Sequence, residues 1–369
     1  MSRYSRRQFV ARSAIGGALG VAAAQFSLAE EASPKLSESK GARPPRIRMG
    51  QIGVAHAHAS KLAVYRSSPD YEVVGVVEPD EKLRQAAMKQ PAFKDVAWLT
   101  EEQLLATSGL QAVLVETAVH ELLPTAMRCA AAGLHLHIDK PPGESLSQLK
   151  QVLELASAKN RMVQMGYMYR YNPGFTLLQQ ILKAGWLGDL FEVHAQMSKV
   201  VDDESRRQLA RYPGGIFFEL ACHVLDLVIS ILGAPQAVHS FAQHASGKSD
   251  LLQDNMLAVL TYPRAIATIK ASAQEVDGGS RRQLVVCGSE GTFQIQPLDQ
   301  PVARLTLNRP QGKYHQGVNI IPLPPYTRYV DDAADMARVI RSEKASDYPP
   351  AHDLLVQSTL LTACGVAIK

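Results

Sequence analysis

The chain has 369 residues, of which 46% are hydrophobic and 20% charged, a balance typical of a folded globular protein of roughly two domains. Of its 39 basic residues, four lie within the first 29 positions, where none of its 35 acidic residues occurs, so the rest of the chain carries no net charge. Nothing in this balance suggests nucleic-acid binding, which requires a clustered basic face. The four cysteines are scattered without CxxC spacing, and we expect free thiols.

The N-terminus has the features of a targeting segment. Residues 5–10 read Ser-Arg-Arg-Gln-Phe-Val, which resembles the twin-arginine export signal, and a short apolar run from Ala14 to Phe26 follows. We therefore expect a signal peptide over 1–29, the export machinery as a partner, and a periplasmic location. Residues 30–45 are polar and contain three prolines, which predicts a flexible linker.

The folded part begins with the layout of a dinucleotide site. A strand reaches Gly53, a helix follows to about Ser67, and a second strand from Tyr71 ends in Glu78. In such a unit the carboxylate binds the ribose hydroxyls and the N-terminus of the helix faces the pyrophosphate. Because Glu78 would repel a 2′-phosphate, the sequence favours NAD over NADP.

The glycine pattern of this turn is incomplete. Gly53 takes the first of the three expected glycine positions, whereas Ala55 and His58 take the other two. We still expect Gly53, Ala55, His56 and His58 to line the cofactor. Together with Glu78, they are the predicted nucleotide-binding residues of the first two strands.

Two His-x-His pairs, His56/His58 and His135/His137, have a spacing that can hold a metal. No third ligand stands nearby in the sequence. We therefore predict a polar wall beside the cofactor and no metal.

Two further strands end in polar residues. The strand 111–117 ends in Thr117, which we expect near the cofactor. The stretch 135–142 alternates apolar residues as a buried strand does and then turns at Asp139 and Lys140, followed by two prolines. A lysine at the carboxyl end of a strand is a candidate for proton transfer, since burial and neighbouring charge can lower its pKa.

The second informative stretch runs from Gly214 to Asp226 and continues with helical spacing to Leu232. Glu219 and His223 are four residues apart, so a helix would present them on one face. A carboxylate and a histidine so placed can orient and deprotonate a sugar hydroxyl. The charged segment 201–212 before them is predicted to be a mobile loop over the pocket.

Three motifs resemble those of one family. Asp139-Lys140-Pro141 looks like the Glu-Lys-Pro motif of the glucose–fructose oxidoreductase, inositol dehydrogenase and rhizopine-catabolism (Gfo/Idh/MocA) family. Residues 214–226 look like its Gly-Gly-x-x-x-Asp-x-Gly-x-His-x-x-Asp segment, and residues 170–173 are similar to its Arg-Phe-Asn-Pro stretch. The resemblance covers roughly residues 46–365. It departs from the family at Asp139, Glu219 and Ala221, where the family has glutamate, aspartate and glycine.

The resemblance implies an α/β protein with two domains. The first is an N-terminal Rossmann dinucleotide-binding domain over 46–165, and the second is a C-terminal α+β domain over 166–369 with a large, mostly antiparallel sheet. Members usually oxidise or reduce a carbon of a sugar or polyol with NAD(P). One face of the second sheet is often an interface between subunits, so a homo-oligomer is expected.

The resemblance also implies roles for single residues. The motif places Lys140 and Asp139 at the cofactor. Lys140 also assists proton transfer at the reacting hydroxyl, and His223 is its partner or the main acid/base. Glu219 is the third predicted catalytic residue and, like His223, also binds substrate hydroxyls. The other predicted substrate-binding residues are Arg170, Asn172 and Lys199.

Three functions remain open at this point. The first is an exported NAD-dependent oxidoreductase that moves a hydride between a carbohydrate or polyol carbinol carbon and nicotinamide. The second is an NAD-dependent glycosidase that oxidises its sugar transiently, eliminates the leaving group and reduces the product. The third is a sugar-binding protein whose cofactor site has decayed, which Ala55 and His58 suggest.

Overall fold

The fold is that of a computed structural model, which describes residues 44–367. The predicted signal peptide and all but the end of the predicted linker lie outside the described residues. Within the described range, none of the helices combines the length and the apolar character needed to cross a membrane.

The first half is built on a parallel sheet of six strands in the order β3-β2-β1-β4-β5-β6. The two central strands β4 and β5 are buried along their whole length, as expected where helices cover both faces of a parallel sheet. The strands are β1 (Ile47–Ile52), β2 (Tyr71–Val77), β3 (Trp98–Leu99), β4 (Ala112–Val115), β5 (His135–Ile138) and β6 (Val163–Met165).

Five α-helices connect these strands, and local signals fix where several of them begin. Thr100 and Gln103 form a capping box at the start of α3, and Ser145 accepts a hydrogen bond from the amide of Gln148 at the start of α5. The helices are α1 (Leu62–Ser67), which follows a short 3₁₀ turn at Ala59–Lys61, α2 (Glu81–Met88), α3 (Glu101–Leu105), α4 (Val119–Ala131) and α5 (Leu146–Ala158).

The second half contains an eight-stranded sheet in the order β14-β13-β12-β11-β7-β10-β9-β8. All of its neighbouring strands are antiparallel except β7 and β10. The strands are β7 (Leu190–Gln196), β8 (Ala237–Gln243), β9 (Asn255–Thr261), β10 (Ile266–Ser272), β11 (Gln283–Gly288), β12 (Gly291–Ile295), β13 (Ala303–Leu307) and β14 (Gly317–Ile321). The predicted fold class, a Rossmann domain followed by an α+β domain, is thus confirmed.

Five further α-helices belong to the second half and the tail. Asn172 caps the first of them and Pro173 occupies its first turn, a common start for a helix. The helices are α6 (Pro173–Lys183), α7 (Asp203–Leu209), α8 (Cys222–Leu232), which a π-helical turn at Phe217–Ala221 precedes, α9 (Val330–Ile340) and α10 (Pro350–Ala363).

The tail helices return to the first half. In α9, Ala333, Met336 and Ala337 join the hydrophobic core that lies around Ile47, and the hydroxyl of Tyr71 donates to the carbonyl of Ala333. α10 packs against α8 and α5. The predicted second domain therefore includes a helix that completes the core of the first. The four cysteines are free, as expected.

Candidate active site

A cleft of about 460 Å³ opens at the carboxyl ends of β1, β2 and β4. Gly53 has a φ of 91°, and a Cβ there would lie 2.5 Å from the backbone nitrogen of Thr117, so only glycine fits this turn. Ala55, Glu78 and Thr117 also line the cleft. All four are residues that the sequence predicts as cofactor ligands, and the fold brings them together.

Glu78 closes the floor of this cleft. Its two carboxylate oxygens accept hydrogen bonds from the amides of Val54 and Asp80, each at 3.0 Å. Each oxygen keeps a further lone pair, so the carboxylate is held in place and can still accept from ribose hydroxyls. The cleft and its residues therefore fit the adenosine part of a dinucleotide, and Gly53 leaves room for the backbone of the turn beside it.

Lys140 lies beyond the end of β5, with its side chain fully buried. Its ammonium donates to the main-chain carbonyl of Glu219 at 2.8 Å and to the Glu219 carboxylate at 3.1 Å. Burial alone would lower the pKa of Lys140, but the charge of Glu219 outweighs it and raises the pKa above its usual value. The prediction that the surroundings lower this pKa is therefore wrong. Lys140 is therefore an ammonium at neutral pH, and its third N–H has no acceptor among residues 44–367.

Glu219 lies in the π-helical turn before α8, so the prediction of one regular helix is wrong at its first turn. Turns of this kind are frequent at functional sites, since they displace side chains from regular helical positions. Although burial opposes it, Lys140 and Lys199 lower the pKa of Glu219 to about 2. Lys199 Nζ lies 3.7 Å from the Glu219 carboxylate, so this predicted substrate residue does reach the site.

His223 is buried on α8, and its ring lies 5.8 Å from the ring of His58 and 6.3 Å from that of Tyr167. Its Nδ1 accepts a hydrogen bond from the amide of Met168 at 3.3 Å. Burial, together with Lys140 and His58, lowers the pKa of His223 well below its usual value. The ring is therefore neutral, with its proton on Nε2.

Asp139 organises the residues behind Lys140. One carboxylate oxygen accepts from the backbone amide of Lys140 at 2.6 Å and lies 3.2 Å from His58 Nδ1. The other accepts from Lys61 at 2.7 Å and lies 3.0 Å from His56 Nδ1. Both oxygens are thus engaged by protein groups. Asp139, predicted as a cofactor ligand, instead positions the two histidines and the main chain of Lys140.

His56 also supports Lys140, because its Nε2 lies 3.1 Å from the Lys140 carbonyl. The ligand atoms of His56, His58 and Asp139 lie within 4.8 Å of one another. Asp139 is therefore the third possible metal ligand. It lies 81 residues from His58 in the chain, so it does not stand near the histidine pair in the sequence. Lys61 supplies a positive charge at this carboxylate, which disfavours a metal ion there, and the absence of a metal stays a prediction.

Lys61 is the residue of this region that the sequence analysis missed. Its buried ammonium contacts Asp139, His137 Nε2 at 2.9 Å and Glu116 at 3.1 Å, and the ring of Tyr329 lies 4.7 Å from it. Burial and the adjacent Asp139 raise the pKa of Glu116 well above its usual value. In the sequence, the only indication of this role was a lysine near the start of the first predicted helix.

Arg170 and Asn172 are structural residues, contrary to the sequence expectation. The guanidinium of Arg170 is buried and donates to Asp226 at 2.7 Å and to Asp353 at 2.6 Å. The side chain of Asn172 is buried, caps α6 and donates to the carbonyl of Leu298. The Nε and Nη2 of Arg170 and the amide of Asn172 are thus engaged by protein groups.

The charged segment 201–212 is also anchored, and the prediction of a mobile loop is wrong. It contains the helix α7, capped by Asp202. Arg206 is buried on this helix and donates to Asp250 at 2.6 Å and to Asp254 at 2.8 Å. A pair of buried ionic contacts holds the segment against the loop before β9.

Comparisons with known proteins agree with this fold. The oxidoreductase YdgJ of Escherichia coli is 26% identical over 267 residues, which cover 70% of this chain and 74% of YdgJ. UDP-N-acetylglucosamine 3-dehydrogenase GnnA from Acidithiobacillus ferrooxidans superposes with a TM-score of 0.73 at 18% identity, covering 88% of this chain and 98% of that one. An oxidoreductase from Agrobacterium radiobacter in complex with NAD⁺, L-tartaric acid and magnesium gives 0.74 at 15% identity, covering 87% and 97%.

Two family models match consecutive parts of the chain. The model of an oxidoreductase family with an NAD-binding Rossmann fold matches residues 47–167, and that of the GFO/IDH/MocA C-terminal domain matches residues 175–294. The two matches together span well over half of the chain; the first covers all six strands of the parallel sheet, and the second covers β7 to β11 and nearly all of β12. The protein therefore belongs to the GFO/IDH/MocA family of NAD-binding oxidoreductases.

Proposed function

We propose that this protein is an exported NAD-dependent oxidoreductase that moves a hydride between a carbinol carbon of a carbohydrate or polyol and nicotinamide. The observation that carries the proposal is the Lys140–Glu219 pair, which joins the end of β5 to the π-helical turn before α8. The charge of Lys140 acts on nearby His223, and Lys140 follows β5 at the same end of the parallel sheet as the Gly53–Glu78 cleft. Polar groups of both halves thus meet where a bound nicotinamide and a substrate would meet.

The chain's own residues act on the oxygen of the reacting carbon. Lys140 has one N–H left to donate, and neutral His223 has its Nε2–H. In the direction of reduction, these two donors polarise the carbonyl, and in the direction of oxidation they stabilise the charge that develops on oxygen. Bound NAD supplies the hydride acceptor.

A polyhydroxylated substrate suits the rest of the site. Glu219 is ionised and partly exposed, and Lys199 extends from the neighbouring sheet toward it, so carboxylate and ammonium groups can bind adjacent hydroxyls. GnnA, which has the same fold, acts on a nucleotide sugar by its name. The family aspartate at position 219 is replaced by the longer glutamate, which selects a different substrate within the class.

Export and self-association complete the proposal. The twin-arginine motif at Arg6 and Arg7 supports transport to the periplasm, where no pool of soluble NAD exists, so we expect NAD to be bound before export. Apolar side chains are exposed on the large sheet, including Ile266 and Ile320 at 54% and 62%. Such residues support a homo-oligomer that buries part of this sheet, which light scattering of the purified protein would reveal.

The first experiment is to purify the mature protein without added nucleotide, denature it and measure NAD(H) and NADP(H) in the supernatant by mass spectrometry. We expect NAD close to one equivalent. The native protein is then mixed with a panel of polyols and p-nitrophenyl glycosides while absorbance is followed at the NADH band. Formation of NADH supports the dehydrogenase, whereas p-nitrophenol release without added NAD would favour the glycosidase. A protein that neither contains nor binds NAD would be a sugar-binding protein instead.

A further inference from the structure

The hydrogen bonds of the site leave open which group takes the proton when a hydroxyl is oxidised. Lys140 is an ammonium paired with Glu219 and can only donate. His223 Nδ1 is occupied by the amide of Met168, so this neutral ring presents only an N–H from its other nitrogen. Neither of the two expected proton-transfer residues therefore offers a lone pair to a substrate hydroxyl.

His58 does offer one. Its Nδ1 lies 3.2 Å from the Asp139 carboxylate, to which it donates, so Nε2 carries the lone pair. Within residues 44–367 no protein group forms a hydrogen bond with this Nε2. The side chain is 17% exposed, whereas those of Lys140 and Asp139 are fully buried, so His58 is accessible at the rim of the cluster.

The position of the ring suits a base. It lies 5.8 Å from the ring of His223 and 5.8 Å from that of Tyr329, between the nucleotide-binding turn and the second half. Two aromatic rings therefore lie beside it, and one carboxylate, Asp139, stands behind it. This is the arrangement of an oriented base: a histidine whose second nitrogen is fixed by a buried acid.

We propose that His58 is the general base of the oxidation and that Asp139 is its positioning residue. The proposal rests on the function proposed above. His58 Nε2 takes the proton of the substrate hydroxyl as that O–H bond breaks. The electron pair forms the C=O bond, and the hydride leaves the same carbon for NAD, the oxidant. In reduction each of these transfers runs backward.

The surrounding charges are consistent with this role. Burial, with Lys140 and Lys61 nearby, outweighs Asp139 and lowers the pKa of His58 to about 4, so the ring is unprotonated at neutral pH. The other titratable groups around the ring are His56, His223 and Tyr329. Once the ring is protonated, the Asp139 carboxylate stabilises the imidazolium. His58, one of the two residues that interrupt the glycine pattern, thus adds a catalytic group to the turn.

The test compares His58→Gly, His58→Gln and the exposed control His315→Ala in the mature protein loaded with NAD. The probe is the member of the polyol and glycoside panel that reduces the bound NAD fastest. We expect both His58 variants to keep their NAD, and to lose about 10²–10⁴-fold in the rate of NADH formation at neutral pH. Added imidazole should restore part of the rate in His58→Gly, where it can enter the vacated space, but not in His58→Gln.

A structural role for His58 would give a different pattern. Rates close to the wild type in His58→Gly, or a loss that imidazole does not restore, would overturn the proposal. Asp139→Asn should shift the pH profile of NADH formation, because it removes the charge behind the ring. If no probe reduces NAD in the wild type, the proposed function fails first, and the role of His58 falls with it.

A substrate-free measurement separates these two failures. ¹⁵N-histidine NMR of the wild type, assigned with His58→Gln, reports which nitrogen carries the proton. We expect a protonated Nδ1 and an unprotonated Nε2 at pH 7. A proton on Nε2 in the free protein would overturn the assignment of the base whatever the substrate is.

Discussion

The ammonium of Lys140 and the carboxylate of Glu219 lie 3.1 Å apart, and the same ammonium also binds the main-chain carbonyl of Glu219 at 2.8 Å. One side chain of the first half thus binds both the backbone and the side chain of a single residue in the second. The charge of Lys140 therefore serves two purposes. In the proposed mechanism it acts on the substrate oxygen, and in the structure it holds the π-helical turn against the end of β5.

Lys140→Met should abolish turnover while NAD stays bound, because the substitution removes the donor to the substrate oxygen but leaves the Gly53–Glu78 cleft intact. The loss should also leave Glu219 without its main cation and raise its pKa from about 2. NADH formation and nucleotide content are measured together, with the exposed Lys150→Met as the control. Unchanged turnover would remove Lys140 from the mechanism.

Glu78→Ala should weaken NAD binding by about tenfold or more, since hydrogen bonds to a charged group contribute about 1.5–3 kcal/mol. NADP should gain relative to NAD, because the carboxylate that would repel its 2′-phosphate is gone. Calorimetric titration of nucleotide-free protein with each nucleotide checks both effects. Glu72→Ala, exposed on the same strand, is the matched control. An unchanged preference would contradict the role of Glu78.

Arg170→Met should lower the free energy of unfolding by about 3–5 kcal/mol, because it leaves Asp226 and Asp353 buried without their shared cation. Urea unfolding measures this loss, with the exposed Arg264→Met as the reference. The KM of the fraction that remains folded should be unchanged. A raised KM with normal stability would instead return Arg170 to the substrate-binding residues.

Stability should fall as the pH is lowered, and His137 should contribute. Burial and Lys61 lower its pKa to about 3, whereas the unfolded residue titrates near 6.5. Between these two pH values, His137 binds a proton in the unfolded chain but not in the folded protein. Its contribution to the free energy of unfolding is therefore fully present above pH 6.5 and falls by about 1.4 kcal/mol per pH unit below it. Thermal unfolding of His137→Gln should show a shallower decline than the exposed control His120→Gln. Parallel curves would contradict the assignment.

The features that the sequence predicted well are those with a local signal. The glycine of the first turn, the acid at the end of β2 and the lysine beyond β5 each stand at a strand end, where period and turn residues mark them. The two-domain α/β architecture followed from their order and from the resemblance of the three motifs. Lys140 and Glu219, from separate motifs, then proved to be in contact.

The features that the sequence did not predict depend on contacts between distant residues. The family motif implied that Arg170 binds substrate, but its charge is neutralised by Asp226 and Asp353. The second of these lies 183 residues away in the chain. Asp139 gathers two histidines and Lys61 from a turn 78–83 positions earlier, and no periodicity records such a meeting. The raised pKa of Lys140 has the same origin, since its cause lies on another domain.

The packing of α9 against the first half has a consequence for how the chain matures. The core around Ile47 is completed by Ala333, Met336 and Ala337, residues that the ribosome adds only after all eight strands of the second sheet. The nucleotide-binding half therefore stays incomplete until the second sheet has been synthesised. The two halves thus finish folding together, and we expect the cofactor to be loaded only after that.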